Sequence, residues 1–179
     1  MIGAGAMGAN HVRVLRDMEG VEIGAVIDRD LDRATAVAHR YGAAAGDDAF
    51  AHLEHDRPDA VVVAVPTSGH VPVALAAIER GVHVLVEKPI AETVEEAQTL
   101  VDAAARHGVT LAVGHIERCN PAVVELKRLL DAGELVLGDV RAGEARTEVV
   151  RVTVPPWVPG EQFRFTVTAH VDDLAWGGP

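Results

Sequence analysis

The sequence is poor in the features that place a chain outside the cell, in a membrane or on nucleic acid. Its one cysteine, Cys119, cannot form an internal disulfide, which excludes a disulfide-stapled secreted scaffold. The N-terminus lacks the basic stretch and apolar core of a secretory signal. The longest apolar run, residues 60–66, falls far short of the roughly 18 residues that suggest a membrane span. Positive charge is scarce: 16 Lys+Arg stand against 27 Asp+Glu, for a formal net charge of -11, a field that repels phosphate backbones and anionic lipid. No internal repeat is present. The expectation is a soluble protein of a reducing cytoplasm, with neither nucleic acid nor membrane among its partners.

What is present is enough to build a core. With 179 residues and 49% hydrophobic content, the chain reads as one domain, or one domain and part of another. Residues 21–27, 60–65, 82–86 and 109–113 are short runs rich in Val, Ile, Leu and Ala. Near-continuous apolar strands without strict alternation suit a parallel sheet covered on both faces. Helical patterns lie between them. Pro72 sits in the first turn of one that runs to Arg80 and stops at Gly81, with proline first and glycine last. Thr93 and Glu96 have capping-box spacing, followed by Val94, Ala97, Val101 and Ala104 on one face up to Gly108. Strand alternating with helix predicts a doubly wound α/β sheet. Residues 42–48 are too rich in small side chains to read as a strand.

The pattern changes after Val113. Asn120 and Pro121 are a suitable N-cap and first helical residue, and Val123, Leu126 and Leu130 form a stripe on a helix expected to end at Gly133. From Glu144, charged residues alternate with Ala145, Thr147 and Val149, as in a strand with one wet face. Pro155, Pro156 and Pro159 mark a loop.

Gly3-Ala4-Gly5-Ala6-Met7-Gly8 has the G-x-G-x-x-G spacing of a dinucleotide-binding turn. The first glycine makes the turn, the second lets the backbone approach the pyrophosphate, and the third lets helix and strand pack, with phosphate at the helix N-terminus. The run 21–27 then ends at Asp28, placed to accept hydrogen bonds from adenosine ribose hydroxyls. Asp28 should disfavour a 2′-phosphate and select NAD, whereas neighbouring Arg29 could pair with that phosphate and admit NADP.

Pro66-Thr67-Ser68-Gly69-His70, Glu87-Lys88-Pro89 and Gly114-His115-Ile116-Glu117-Arg118-Cys119-Asn120-Pro121 each follow a predicted strand. With the glycine turn, they make about the first 140 residues resemble the Gfo/Idh/MocA family of NAD(P)-dependent oxidoreductases, which includes glucose-fructose oxidoreductase, inositol 2-dehydrogenase and many sugar and nucleotide-sugar dehydrogenases. The resemblance implies an α/β, doubly wound parallel-sheet Rossmann domain over residues 1–117 and the start of an α+β substrate and oligomerisation domain over 118–179. It implies cofactor contacts at Gly3, Gly5, Ala6, Met7, Gly8, Asp28, Arg29, Pro66, Thr67, His70, Glu87 and Lys88, with Glu87 and Thr67 or His70 near the nicotinamide ribose. Lys88 would point at the substrate carbinol as a catalytic residue, and His115, Arg118, Asn120 and Asp173 would contact substrate.

The family's second motif pairs an Asp with a His four residues later. Here His170 takes the histidine position, but Thr166 stands where the Asp would be and cannot orient or charge-stabilise an imidazole. The acid/base role of His170 therefore stands against that of an ordinary loop histidine. Only Met1 and Ile2 precede Gly3 and the chain stops at Pro179, so the family's first strand is expected to be mostly missing from the sheet centre and its second domain, through which the family homo-oligomerises, largely absent. His52 and His55 are expected to decorate a solvated helix end rather than bind zinc, and no metal is implied. Cys119 is read as structural. Three readings follow: a dehydrogenase acting on a secondary hydroxyl of a sugar, cyclitol or nucleotide sugar, most like the branch for UDP-sugar acids; a truncated, inactive nucleotide-binding homologue; and a regulator that senses NAD(H).

Overall fold

The computed structural model describes residues 1–132 and the strands Ala145–Val152 and Phe163–His170. The chain divides into two compact units, Met1–His115 and Ile116–Pro179. The first alternates helix and strand throughout: α1 (Ala6–Arg16), β1 (Ala25–Ile27), α2 (Leu31–Tyr41), β2 (Ala44–Gly46), α3 (Ala49–His55), β3 (Ala60–Val63), α4 (His70–Ile78), β4 (His83–Val86), α5 (Val94–His107) and β5 (Leu111–Val113).

All of its strand pairs are parallel, β2 on β1 and β4 between β3 and β5. The two groups meet at Ile2, which bridges Ile27 on one side and Val63 on the other. Reading across the sheet, the order is β2-β1-Ile2-β3-β4-β5, a doubly wound arrangement with the chain's first residues at its centre. Only an isolated bridge at Ile2, not a full strand, occupies that centre, in line with the expectation of a mostly missing first strand. Ile2 exchanges bonds with Val62 O and Ala64 N, both at 2.8 Å, while Ile27 N donates to Met1 O and Gly3 N to Ile27 O. Three residues suffice to close both ladders because successive strand residues direct their N–H and C=O to opposite edges: Ile2 bonds the β3 side, and Met1 O and Gly3 N bond β1.

Local chemistry sets the helix ends. Asp30 and Asp48 accept first-turn amides to cap α2 and α3. Thr93 and Glu96 form the reciprocal capping box of α5, and Gly108 ends it at φ 65°, the left-handed cap that favours glycine. Pro72 lies in the first turn of α4 as expected, although α4 stops at Ile78, short of Arg80. That helix is apolar on nearly every side because it lies against β3, β4, α3 and α5. Ala74, Ala77 and Ile78 join Ile2, Val63, Val82, Val86 and Leu100 in the core.

Other local expectations shift. Residues 44–46 do form a strand: β2 is an edge whose backbone pairs with β1 while its side chains stay largely exposed, so small residues serve. Regular structure in the run 21–27 begins only at Ala25, and Val21 is exposed. On α5 the buried face is Leu100, Ala103 and Ala104, while Val94 and Val101 face solvent. In the second unit, Asn120 caps α6 (Pro121–Asp131), whose most buried residue is Ala122, and Leu130 is exposed rather than part of the stripe. β6 (Ala145–Val152) pairs antiparallel with β7 (Phe163–His170). The expected loop at Pro155, Pro156 and Pro159 lies outside the described residues. Among the described residues no helix is long and apolar enough to cross a membrane.

Candidate functional site

Parallel strands deliver their C-terminal ends to one edge of the sheet. In the first unit that edge gathers the loop after Ile2, Asp28 after β1, Pro66 and Thr67 after β3, Glu87 and Lys88 after β4, and His115 after β5.

The glycine loop is shaped by contacts that side chains would not allow. Gly3 has φ 95°, and a Cβ there would run into the Ala64 carbonyl at the end of β3, 2.6 Å from its carbon. A Cβ on Gly8 would overlap the Gly3 carbonyl oxygen and lie 2.8 Å from its carbon. A Cβ on Gly5 would meet nothing within 4 Å. The first and third glycines therefore pack the loop against sheet and helix, and the second opens on free space. That space lies at the N-terminus of α1, whose N-cap Gly5 supplies no side-chain bond and whose first turn has no acidic residue. First-turn amides without intrahelical partners attract an anion. The arrangement fits a dinucleotide pyrophosphate, with the backbone amides of Gly5, Ala6, Met7 and Gly8 as the candidate donors.

Asp28 braces this loop. Its Oδ2 accepts from Ala4 N at 2.7 Å and its Oδ1 from Asp30 N at 2.9 Å. The Arg33 guanidinium approaches Oδ1 at 3.4 Å and pairs with Asp30 at 3.0 Å. Sequence reasoning looked to Arg29 for the positive charge beside Asp28. Arg33, one helical turn into α2, supplies it, while Arg29 is exposed.

Glu87 and Lys88 differ sharply although adjacent. Glu87 is 6% exposed, whereas Lys88 is exposed. The Glu87 Oε1 accepts from Nε2 of His11 at 2.7 Å, and its Oε2 from the Lys88 amide at 3.2 Å. Gly114 leaves room for this carboxylate: a Cβ there would lie 3.0 Å from Oε1. His11 escaped the sequence reading. It lies one turn beyond Met7 on α1, so its helical position was the only available signal.

His70 is almost wholly enclosed, at 1% exposure. Its Nδ1 lies 2.8 Å from Pro89 O and its Nε2 2.9 Å from Val65 O, so the ring ties the end of β3 to the loop that carries Lys88. Thr67 begins a short 3₁₀ turn, Thr67–Gly69, with Pro66 exposed before it. The N-terminal amine is also enclosed: it donates to Ala25 O at 2.9 Å, and burial lowers its pKa from 8.0 to about 6.

The remaining residues fall elsewhere. His115 is exposed at the end of β5. In the second unit Arg118 is exposed on the turn Ile116–Cys119. Asn120 is engaged as a cap, with Oδ1 accepting from Ala122 N at 3.0 Å and Nδ2 donating to Glu117 at 2.9 Å. His170 is the last residue of β7, opposite Ala145, and Thr166 lies opposite Val149. Asp173 lies outside the described residues. His52 on α3 contacts Asp56 at 3.2 Å, and no group of three metal-ligating side chains occurs among the described residues.

Comparison with known proteins agrees with this geometry. The model of an oxidoreductase family with an NAD-binding Rossmann fold matches residues 1–115. Inositol 2-dehydrogenase 2 of Saccharopolyspora erythraea is 41% identical over 189 aligned residues, covering 95% of this chain and 56% of that protein. Among solved structures, GenD2 from gentamicin A biosynthesis, in complex with NAD, has a TM-score of 0.72 at 36% identity, covering 79% of this chain and 40% of that one. The UDP-N-acetylglucosamine 3-dehydrogenase GnnA of Acidithiobacillus ferrooxidans has a TM-score of 0.65 at 35% identity, covering 71% of this chain and 41% of that one. The chain spans about half the length of the curated relatives it matches.

Proposed function

This chain belongs to the Gfo/Idh/MocA oxidoreductase family, and from that premise we propose that it forms the dinucleotide-binding part of an enzyme that oxidises a secondary hydroxyl of a sugar, cyclitol or nucleotide sugar. The observation that carries the proposal is the meeting, on one sheet edge, of an open glycine loop at an uncapped helix N-terminus with the exposed Lys88. The bound nicotinamide dinucleotide supplies the hydride acceptor.

This chain's residues bind and orient. The amides of residues 5–8 hold the pyrophosphate. Asp28 fixes the loop through Ala4 and presents a carboxylate to the adenosine ribose, favouring NAD over NADP. Glu87 and Thr67 face the nicotinamide ribose, and His70 acts by holding the backbone of their loops together. Lys88 Nζ positions the substrate hydroxyl and takes or relays its proton as the carbon gives up hydride. His115 and Arg118 offer polar contacts to substrate, and His170 is a second acid/base candidate.

The test is a steady-state assay over sugars, cyclitols and nucleotide sugars with NAD and NADP. Substrate-dependent NADH formation that disappears in Lys88→Ala, with NADH binding retained, supports the assignment. NADH binding without turnover on any of these substrates leaves a nucleotide-binding homologue instead.

A further inference from the structure

Glu87 and His70 are the buried polar residues among those described, and Glu87 alone of the two carries a carboxylate. Such a group is costly to desolvate, and a paired buried ion is seldom more stabilising than an apolar pair of the same volume. The geometry around Glu87 is better suited to aiming than to stabilising. Oε1 is held by His11 Nε2 at 2.7 Å, Oε2 by the Lys88 amide at 3.2 Å, and a side chain on Gly114 would crowd the group, its Cβ lying 3.1 Å from the carboxyl carbon. Three elements therefore determine one orientation. Each carboxylate oxygen accepts more than one hydrogen bond, so a carboxylate fixed in this way retains capacity for the hydroxyls of a vicinal diol.

His11 is 76 residues from Glu87 in sequence and lies on α1, the helix whose N-terminus forms the glycine loop. We propose that His11 is a positioning residue for the nicotinamide half of the site: through its bond to Glu87 it sets the carboxylate that receives the second ribose, and it ties the pyrophosphate helix to the strand end bearing Lys88. The inference rests on the proposed function. It assigns His11 no contact with the adenosine half, which the glycine loop and Asp28 hold.

Two ligands separate those halves, because ADP lacks the second ribose and ADP-ribose contains it. In His11→Ala, ADP-ribose and NADH should bind about tenfold more weakly, the scale of one lost hydrogen bond to a charged group, while ADP affinity stays within about twofold. In His11→Gln, whose side-chain amide can donate in place of Nε2, most of the loss should be recovered. If His11→Ala does not fold, His11→Asn takes its place, since that amide stops short of Glu87. Equal weakening of ADP and NADH, or no weakening of either, overturns the inference and leaves the proposed function standing. A wild-type chain that binds none of the three ligands overturns both.

Discussion

Alanine at Gly5 and alanine at Gly8 should have opposite consequences, although the two positions lie three residues apart in one loop. At Gly5 the backbone has φ -66° and ψ -171°, extended geometry open to any residue, and nothing lies within 4 Å of the added carbon. Alanine is a poorer N-cap than glycine, but it also lowers the entropy of the unfolded chain by about 0.4–1 kcal/mol. The two effects nearly cancel, and stability should change by no more than about 0.5 kcal/mol. Binding should suffer, because the methyl stands where the pyrophosphate must approach the α1 amides. Losing one charge-assisted hydrogen bond, worth about 1.5–3 kcal/mol, weakens NADH roughly 10- to 150-fold. At Gly8 the added carbon meets the Gly3 carbonyl. Gly3 cannot yield, since its amide bonds Ile27 O at 2.7 Å and its own Cα faces the Ala64 carbonyl. The helix must lift, at about 3 kcal/mol for severe overpacking, less about 1 kcal/mol gained from alanine's helix propensity. The net of roughly 2 kcal/mol corresponds to a Tm about 4–8 °C lower for a chain of this size. Thermal unfolding and NADH fluorescence titration read the two effects separately. A Gly5→Ala chain that binds NADH like wild type, or a Gly8→Ala chain as stable as wild type, would refute the reasoning.

The same geometry carries three further expectations. Leu100→Ala should cost about 2–5 kcal/mol in urea unfolding and Val101→Ala less than about 0.5 kcal/mol, because the first is wholly buried and the second is 49% exposed. Asp28→Asn turns an acceptor of two backbone amides into a group with one acceptor and one donor; it should destabilise by about 1–3 kcal/mol and, with the charge gone, narrow the preference for NADH over NADPH roughly tenfold in parallel titrations. In a chain beginning at Met1, the amine's pKa is about 6 when folded against 8.0 otherwise. The fold therefore disfavours the charged form, so stability is full above pH 8, falls through the window from 8 to 6 and is lower by about 2–3 kcal/mol below it. Urea midpoints across that range measure this, and an Nα-acetylated chain should show no such dependence.

Features that depend on neighbours in sequence were readable from sequence alone. The glycine spacing, Asp28 at the end of β1, the Thr93 and Glu96 capping box and the Asn120-Pro121 start of α6 each rest on contacts spanning a few residues or on backbone conformations that few side chains allow. Partnerships between distant segments were not readable. The bonds of Met1, Ile2 and Gly3 to the two flanking strands, the reach of His11 to Glu87 and the enclosure of His70 between Val65 and Pro89 all arise when separate strand ends converge. β2 escaped notice for another reason. An edge strand is held by its backbone, and Ala44, Ala45 and Gly46 carry no apolar signal. The α5 face was misjudged because Val94 and Val101 are hydrophobic yet stay in solvent, and hydrophobicity does not by itself imply burial.

The central claim, that a nicotinamide dinucleotide binds across the C-terminal edge of this sheet, is tested most directly by titrating the ¹⁵N-labelled chain with NADH and following its backbone amide resonances. Saturable shifts should concentrate at Gly5, Ala6, Met7 and Gly8, at Asp28, at Thr67 and at Glu87 and Lys88, and Gly5→Ala should suppress them. The separate cleft of about 260 Å³ between β1, β2 and α3, with Asp47, Asp48 and Asp56 among its lining residues, should stay unperturbed because its carboxylates repel phosphate. Shifts centred on that cleft, or none at millimolar NADH, would contradict the account.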